Sequence, residues 1–193
     1  MKVVLVEDNQ IIRMDCRQML ELAGFEVVAE GKDGLEAIHL CQKHHPDVVL
    51  LDIEMPNLDG ISAARQIFLD RSCPVIVFLT AYFEEKLIQE ATDVGAFGYL
   101  VKPLDEKTLI STIQVAYAKS KQKQDMEEQL TVLSQKLEDR KVIERAKGLL
   151  MKQKGLDENE AYAYLRNLSM SHRFSIRQVA DLMISSLEKT QKL

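Results

Sequence analysis

The stretch Val48-Val49-Leu50-Leu51-Asp52-Ile53-Glu54-Met55-Pro56, running on into Asn57-Leu58-Asp59-Gly60, decides how this chain is read. Four consecutive apolar residues rich in β-branching suit a strand buried on both faces. Asp52 follows directly, and Pro56 and Gly60 place a loop after it that leaves a carboxylate open to reagents. Outward from this stretch the same theme recurs. Short apolar runs at residues 2–6, 26–29, 47–51, 75–79 and 97–101 alternate with helical patterns long enough to be crossover connections. The expected fold is α/β, a doubly wound five-stranded parallel sheet, in which functional groups gather beyond the carboxyl ends of the strands.

The residues at those ends are Glu7 and Asp8 after the first strand, Asp52 after the third, Thr80 after the fourth and Lys102-Pro103 after the fifth. Carboxylates collected at one sheet edge repel each other unless a cation sits among them, and a hard divalent ion such as Mg²⁺ fits such oxygen ligands. The ion would draw a phosphate to one carboxylate. Asp52 is the expected nucleophile, with Thr80 to hydrogen-bond a phosphoryl oxygen and Lys102 to neutralise another.

Composition supports two domains. The 193 residues are 46% hydrophobic and 28% charged, which is globular. Residues 1–119 carry 11 basic against 19 acidic side chains, a balance of -8, whereas residues 120–193 carry 14 against 11, a balance of +3. All four prolines and six of eight glycines precede residue 104, so turn chemistry is dense in the acidic half and sparse in the helical, locally basic one. No apolar run approaches the roughly 20 residues of a membrane span, and the amino terminus leads straight into a strand without a signal pattern, so a cytoplasmic location is expected. Cys16, Cys41 and Cys73 read as small core residues and His39, His44 and His45 as solvated surface, since neither group has metal-ligand spacing.

After Asp105 a helical pattern begins at Leu109, with no proline or glycine until Gly148. Met126, Leu130, Leu133 and Leu137 step by 4, 3 and 4, the seam of a coiled coil, and these are the expected dimerisation residues. The alternative is a stripe laid on the helix's own domain. Three further helical segments follow: Val142, Ile143, Ala146, Leu149 and Leu150 up to a left-handed stop at Gly155; Ala161, Tyr164, Leu165 and Leu168 behind an Asp157/Glu160 capping box; and Ile176, Val179, Ala180, Met183, Ile184 and Leu187 behind Ser175/Gln178. Nine basic residues against four acidic ones lie between Arg140 and Arg177. From charge alone a solvated face and a nucleic-acid surface are equally admissible.

Residues 1 to about 120 resemble the receiver domain of bacterial two-component response regulators. The matching stretches are Val3-Val4-Leu5-Val6-Glu7-Asp8, Leu50-Leu51-Asp52-Ile53-Glu54-Met55-Pro56, Leu58-Asp59-Gly60, Leu79-Thr80-Ala81 and Gly98-Tyr99-Leu100-Val101-Lys102-Pro103. The resemblance implies that Asp52 takes a phosphoryl group from a sensor histidine kinase. It implies that Glu7, Asp8, Asp52 and the backbone carbonyl of Glu54 hold Mg²⁺. It further implies a cis Lys102-Pro103 bond and Thr80 with Tyr99 as the switch pair, Tyr99 otherwise being an ordinary exposed aromatic.

Arg140-Lys141-Val142-Ile143-Glu144-Arg145-Ala146-Lys147-Gly148-Leu149-Leu150-Met151, with Glu160-Ala161, Tyr164-Leu165-Arg166 and Ser169-Met170, is similar to the ANTAR domain, the RNA-binding output of antitermination regulators, over about residues 125–190. The whole chain resembles the antitermination regulators of ethanolamine-utilisation genes. That likeness implies a non-enzymatic regulator that dimerises on phosphorylation and grips paired hairpins in leader RNA. The expected layout is a receiver at 1–119, a coiled-coil linker at 120–139 and an all-α three-helix bundle at 140–193. Arg140, Lys147, Gly148, Lys152, Arg166 and Arg173 are the expected RNA contacts. Gly148 serves either close approach of a backbone or tight helix packing, and Tyr162 and Phe174 are either stacking platforms or packing residues. A DNA reader would need a recognition helix, and the last one offers only Arg177 and Gln178 near its start, which argues against DNA. A protein-binding adaptor is the other alternative.

Overall fold

The computed structural model describes the backbone of residues 1–81 and 85–190, with side chains 85–88 and 187–190 left out, so Leu187 lies outside the described side chains. Five strands, β1 (Lys2–Val6), β2 (Glu26–Gly31), β3 (Val48–Asp52), β4 (Ile76–Thr80) and β5 (Gly98–Val101), form one parallel sheet in the order β2-β1-β3-β4-β5. Helices α1 (Gln10–Leu22), α2 (Gly34–His44), α3 (Gly60–Leu69), α4 (Glu85–Asp93) and the start of α5 (Glu106–Lys154) connect and cover it. The chain reverses its direction of strand addition between β1 and β3, so their carboxyl ends flank a crevice.

Strand alternation sorts the core into two layers. Val4, Val6, Val49, Leu51, Ile76 and Phe78 pack on one face with Ala37, Cys41, Ala63, Ala64 and Ile67 of α2 and α3. Val3, Leu5, Val48, Leu50, Val77 and Leu79 pack on the other with Cys16, Leu20, Leu109 and Ile113 of α1 and α5. The three cysteines are buried free thiols, as expected of small core residues. Asn9, Asp33 and Asp59 cap α1, α2 and α3 with side-chain oxygens on backbone N–H groups.

The chain packs as two compact units, Met1–Gln124 and Asp125–Leu193. α5 contributes to both. The coiled-coil segment and the first bundle helix, expected as separate elements meeting near residue 140, are one uninterrupted helix that passes through Gly148 and ends before Gly155 at φ +69°. A glycine inside a helix costs only about 1 kcal/mol relative to alanine, and the strong helix formers around it outweigh that. Helices α6 (Glu158–His172) and α7 (Ile176–Thr190) complete the second unit. Its core is small: Ala146, Leu150, Ala161, Leu165, Val179 and Ala180, bordered by Val142, Ile143, Tyr164 and Met183. Both expected capping boxes are present, Asp157 with Glu160 and Ser175 with Gln178. No helix among the described residues is long and apolar enough to cross a membrane.

Candidate functional site

The carboxyl ends of β1, β3 and β5 bring Glu7, Asp8, Asp52 and Lys102 together. One carboxylate oxygen from each of Glu7, Asp8 and Asp52 lies within 4.8 Å of the others. Glu7 and Asp52 are buried, whereas Asp8 is exposed, so the cluster opens to solvent on one side. The Lys102 ammonium lies 2.6 Å from Glu7 Oε2 and 2.8 Å from Asp52 Oδ2. Burial acts against the charge on Lys102, but its hydrogen bonds to Asp52 and Glu7 prevail and hold its pKa above the ordinary lysine value. Burial pushes Glu7 above the usual carboxylate range, reinforced by the charge of Asp52 and opposed by Lys102. Apart from the ion pair, buried Glu7 Oε2 has no hydrogen-bond partner. Three carboxylates with one ammonium leave an excess of negative charge and spare oxygen lone pairs, a donor set suited to a hard divalent cation.

Local structure explains why Asp52 is where it is. Asp52 is the last residue of β3, and its neighbour Ile53 donates its N–H to Leu79 O at 3.0 Å, carrying the strand pairing past the carboxylate. The chain then turns back through Pro56, and Gly60 N–H donates to Ile53 O at 2.9 Å. A Cβ at Gly60 would meet the Asp52 carbonyl oxygen at 2.0 Å, so only glycine lets α3 begin against the backbone that carries the carboxylate. Thr80 closes β4 and is buried, and the half-exposed Tyr99 sits on the adjacent β5 opposite Phe78. The Lys102-Pro103 bond is cis, as the receiver resemblance implied. Glu54 follows in the bend after β3, with its side chain exposed.

In the second unit the expected RNA residues separate into two groups. Lys147 is buried, its ammonium 3.0 Å from both Glu144 carboxylate oxygens and 2.7 Å from Glu158 Oε1. These hydrogen bonds, first that of Glu158 and then that of Glu144, raise its pKa above the ordinary lysine value. Lys147 is thus a strut joining α5 to α6, with its donors aimed at two glutamates. Gly148 lies mid-helix and exposed, and a Cβ there would meet nothing within 4 Å, so tight packing inside the unit does not account for it. Arg140, Lys152, Arg166 and Arg173 are exposed; Arg173 is the left-handed cap of α6. Tyr162 and Phe174 are 42% and 49% exposed, so neither ring is consumed by the core.

Contacts that the sequence did not announce tie the bundle together. Arg177 Nη1 donates to Asp139 Oδ1 at 2.5 Å, linking α7 to α5, and Lys154 Nζ donates to the Tyr164 hydroxyl at 2.8 Å from above its ring. Opposite charges 38 residues apart do not show in the sequence which acid meets which base. The stripe Met126, Leu130, Leu133 and Leu137 is between 56% and 63% exposed, a seam on α5 left open.

This fold, with an acidic pocket at the carboxyl edge of its sheet and a helical second unit, is that of a receiver-type signalling protein. Residues 3–114 match the response regulator receiver domain and residues 131–184 match the ANTAR domain. The chain belongs to the response regulators that join a receiver domain to a carboxyl-terminal ANTAR domain. It is 39% identical over 186 residues to the transcriptional regulatory protein PdtaR of Mycobacterium tuberculosis, a match covering 96% of this chain and 90% of that protein. Among solved structures, the receiver domain of a modulated diguanylate cyclase from Desulfovibrio desulfuricans is 32% identical with a TM-score of 0.59, covering 63% of this chain and 97% of that one. CheY of Borrelia burgdorferi, solved as a CheX-CheY-BeF3-Mg+2 complex, is 28% identical with a TM-score of 0.55, covering 58% of this chain and 85% of that one. The match to PdtaR thus spans both domains, and the expected likeness to the ethanolamine-utilisation regulators is not specifically shown.

Proposed function

We propose that this chain is a phosphorylation-gated RNA-binding regulator that acts by antitermination. The observation that carries the reading is the assembled Glu7, Asp8, Asp52 and Lys102 pocket on a chain whose second unit matches ANTAR. An Asp52 carboxylate oxygen attacks the phosphorus of a kinase phosphohistidine, the P–N bond breaks, the imidazole leaves with its electron pair, and an aspartyl phosphate forms. Lys102 already touches Asp52 and is placed to pair with a phosphoryl oxygen, and the Thr80 hydroxyl lies at the next strand end to donate to another. Glu7, Asp8, Asp52 and the Glu54 carbonyl would hold Mg²⁺, which supplies charge neutralisation for the phosphoryl oxygens. That a Borrelia relative was solved in a complex with BeF3 and Mg+2 supports a divalent cation as the ion bound here.

The phosphoryl group adds about -1.5 to -2 of charge. Drawing Thr80 toward it frees space into which the half-exposed Tyr99 ring turns, and the β5 and α5 surface changes shape. Two copies then pair along Met126, Leu130, Leu133 and Leu137, an open apolar seam with heptad spacing. The paired bundles bind two hairpins of a leader transcript and keep a terminator from forming, with Arg140, Lys152, Arg166 and Arg173 as the RNA-facing cations. Arg177, which a DNA-reading α7 would need, is already paired with Asp139 and Asp181.

The test is phosphate incorporation and molar mass, measured on the full chain after acetyl phosphate and Mg²⁺. The wild type is expected to take up phosphate and move from 22.0 kDa to twice that mass, whereas Asp52→Ala does neither. Phosphate uptake with an unchanged mass would sink the coupling of the site to the seam.

A further inference from the structure

The loop after Asp52 is held by α2 as well as by its own sheet. Ile53 fixes one end, its N–H donating to Leu79 O and its carbonyl accepting from Gly60 N–H. The start of α2 fixes the other. Gly34 N–H donates to Leu58 O at 3.0 Å, and a Cβ at Gly34 would meet that oxygen at 2.5 Å, so the helix begins in contact with the loop backbone. Beside it the Asn57 side-chain amide donates to Asp33 Oδ2 at 2.9 Å. Asn57 stands at φ +64°, a left-handed conformation that asparagine adopts more readily than most residues.

Capping α2 does not require the Asn57 contact. Asp33 Oδ1 accepts from Glu36 N–H at 2.9 Å, and a serine could serve that N–H equally well. The second oxygen of this buried carboxylate is committed to Asn57. The two hydrogen bonds, first that of the Glu36 N–H and then that of Asn57, hold the Asp33 carboxyl below the usual carboxylate range. Between the fixed ends of the loop lie Glu54, Met55 and Pro56. Toward α4 this stretch borders a cavity of about 730 Å³, with Ile53, Glu54, Met55, Arg65 and Glu90 in its lining. With space on that side, the contact with α2 governs where the Glu54 backbone stands.

We infer that Asp33 is a positioning residue of the acidic pocket: through Asn57 it fixes the loop that carries the Glu54 carbonyl, and so sets the affinity of the pocket for Mg²⁺. The inference rests on the reading above that the pocket takes Mg²⁺, and extends it to two residues outside the ligand set. Groups that hold metal ligands in place affect metal affinity without touching the ion.

The experiment is calorimetric titration of the unphosphorylated full chain with Mg²⁺ at pH 8, where facing carboxylates stay ionised, beside thermal melting. Asn57→Asp sets two carboxylates against each other and is expected to weaken Mg²⁺ binding about tenfold. Its added negative charge would by itself attract the cation, so the expected change has the opposite sign to the charge effect. Combining Asn57→Asp with Asp33→Asn rebuilds the hydrogen bond with donor and acceptor reversed and retains the α2 cap, and should return the affinity to within about twofold of the wild type. Asn57→Gly keeps the left-handed backbone and deletes the amide; it should weaken binding by a similar factor, and its result decides if Asn57→Asp does not fold. Lower melting temperatures with wild-type Mg²⁺ affinity would make the contact structural only and overturn the inference, as would tighter binding by Asn57→Asp or no recovery in the double variant. Absence of Mg²⁺ binding by the wild type would overturn the metal reading and this inference together.

Discussion

Replacing Lys102 by methionine keeps an apolar stem and removes the one ammonium that touches both Glu7 and Asp52. The side chains of Glu7 and Asp52 are 1% and 4% exposed and that of Lys102 14%, so the two carboxylates left behind are poorly reached by water. Removing one partner of a buried ion pair costs about 3–5 kcal/mol. Asp8 is exposed and the pocket opens on its side, so water screens part of the loss and about 2–3 kcal/mol is the appropriate range here. For a unit the size of Met1–Gln124 each kcal/mol moves the melting temperature by about 3–6 °C, giving a drop of about 6–18 °C. The assay is calorimetric melting at neutral pH, with chelator and then with Mg²⁺. The drop should be largest with chelator and partly reversed by Mg²⁺, because a dication restores the missing positive charge. Protonation should restore it too. Glu7 is already held above its ordinary pKa, mainly by burial, and loss of Lys102 raises it further. A carboxyl with a raised folded-state pKa contributes most below its ordinary pKa and loses that contribution as pH rises through the folded value, so the deficit of the variant shrinks on acidification. Equal melting of variant and wild type in chelator would refute the electrostatic account. A deficit that ignores both Mg²⁺ and pH would show that packing, not charge, had been lost.

Other outcomes follow from the second unit. Leu165 is fully buried in a core of six residues, so Leu165→Ala should cost about 3 kcal/mol in urea unfolding followed by ellipticity, and a loss under about 1 kcal/mol would mean that this core is not as packed as described. Asp139 is held below the usual carboxylate range, first by Arg177 and then by Gln135; its contribution is present above the ordinary aspartate pKa and is lost as pH falls through the lowered one. Arg177→Gln should flatten that part of the stability profile, and an unaltered profile would remove the α5/α7 tie. Glutamates at Leu130 and Leu133 should abolish phosphorylation-dependent dimers and lower affinity for tandem hairpins about 10²-fold while sparing single hairpins, since avidity requires two linked sites. Dimers that survive both charges would move the interface off the seam.

Much of the acidic pocket was legible because a parallel sheet places all carboxyl ends on one edge, so that reading past each apolar run collects Glu7, Asp8, Asp52, Thr80 and Lys102 from the sequence. Core periodicity and caps were equally local, and Asp157 and Ser175 act where their spacing to the following helix says they should. The bundle surface was less legible. Lys147 looks like any other member of a basic run until Glu158, 11 residues away across the Gly155 turn, closes on it. Gly148 reads as a packing notch or a point of close backbone approach, and the sequence does not show that its surroundings in the unit are open. The pairing of Arg177 with Asp139 depends on how α7 returns to α5, and no one-dimensional pattern encodes that.

The most direct test of the central claim, that phosphorylation at Asp52 controls RNA binding by a dimer, is an equilibrium binding titration. Purified chain is titrated into a two-hairpin leader RNA and a single-hairpin control, with and without acetyl phosphate and Mg²⁺, beside Asp52→Ala. Phosphorylation is predicted to tighten binding to the two-hairpin RNA alone, and Asp52→Ala to show no such gain. Strong binding that is the same in both states, or tightening that Asp52→Ala retains, would contradict the account.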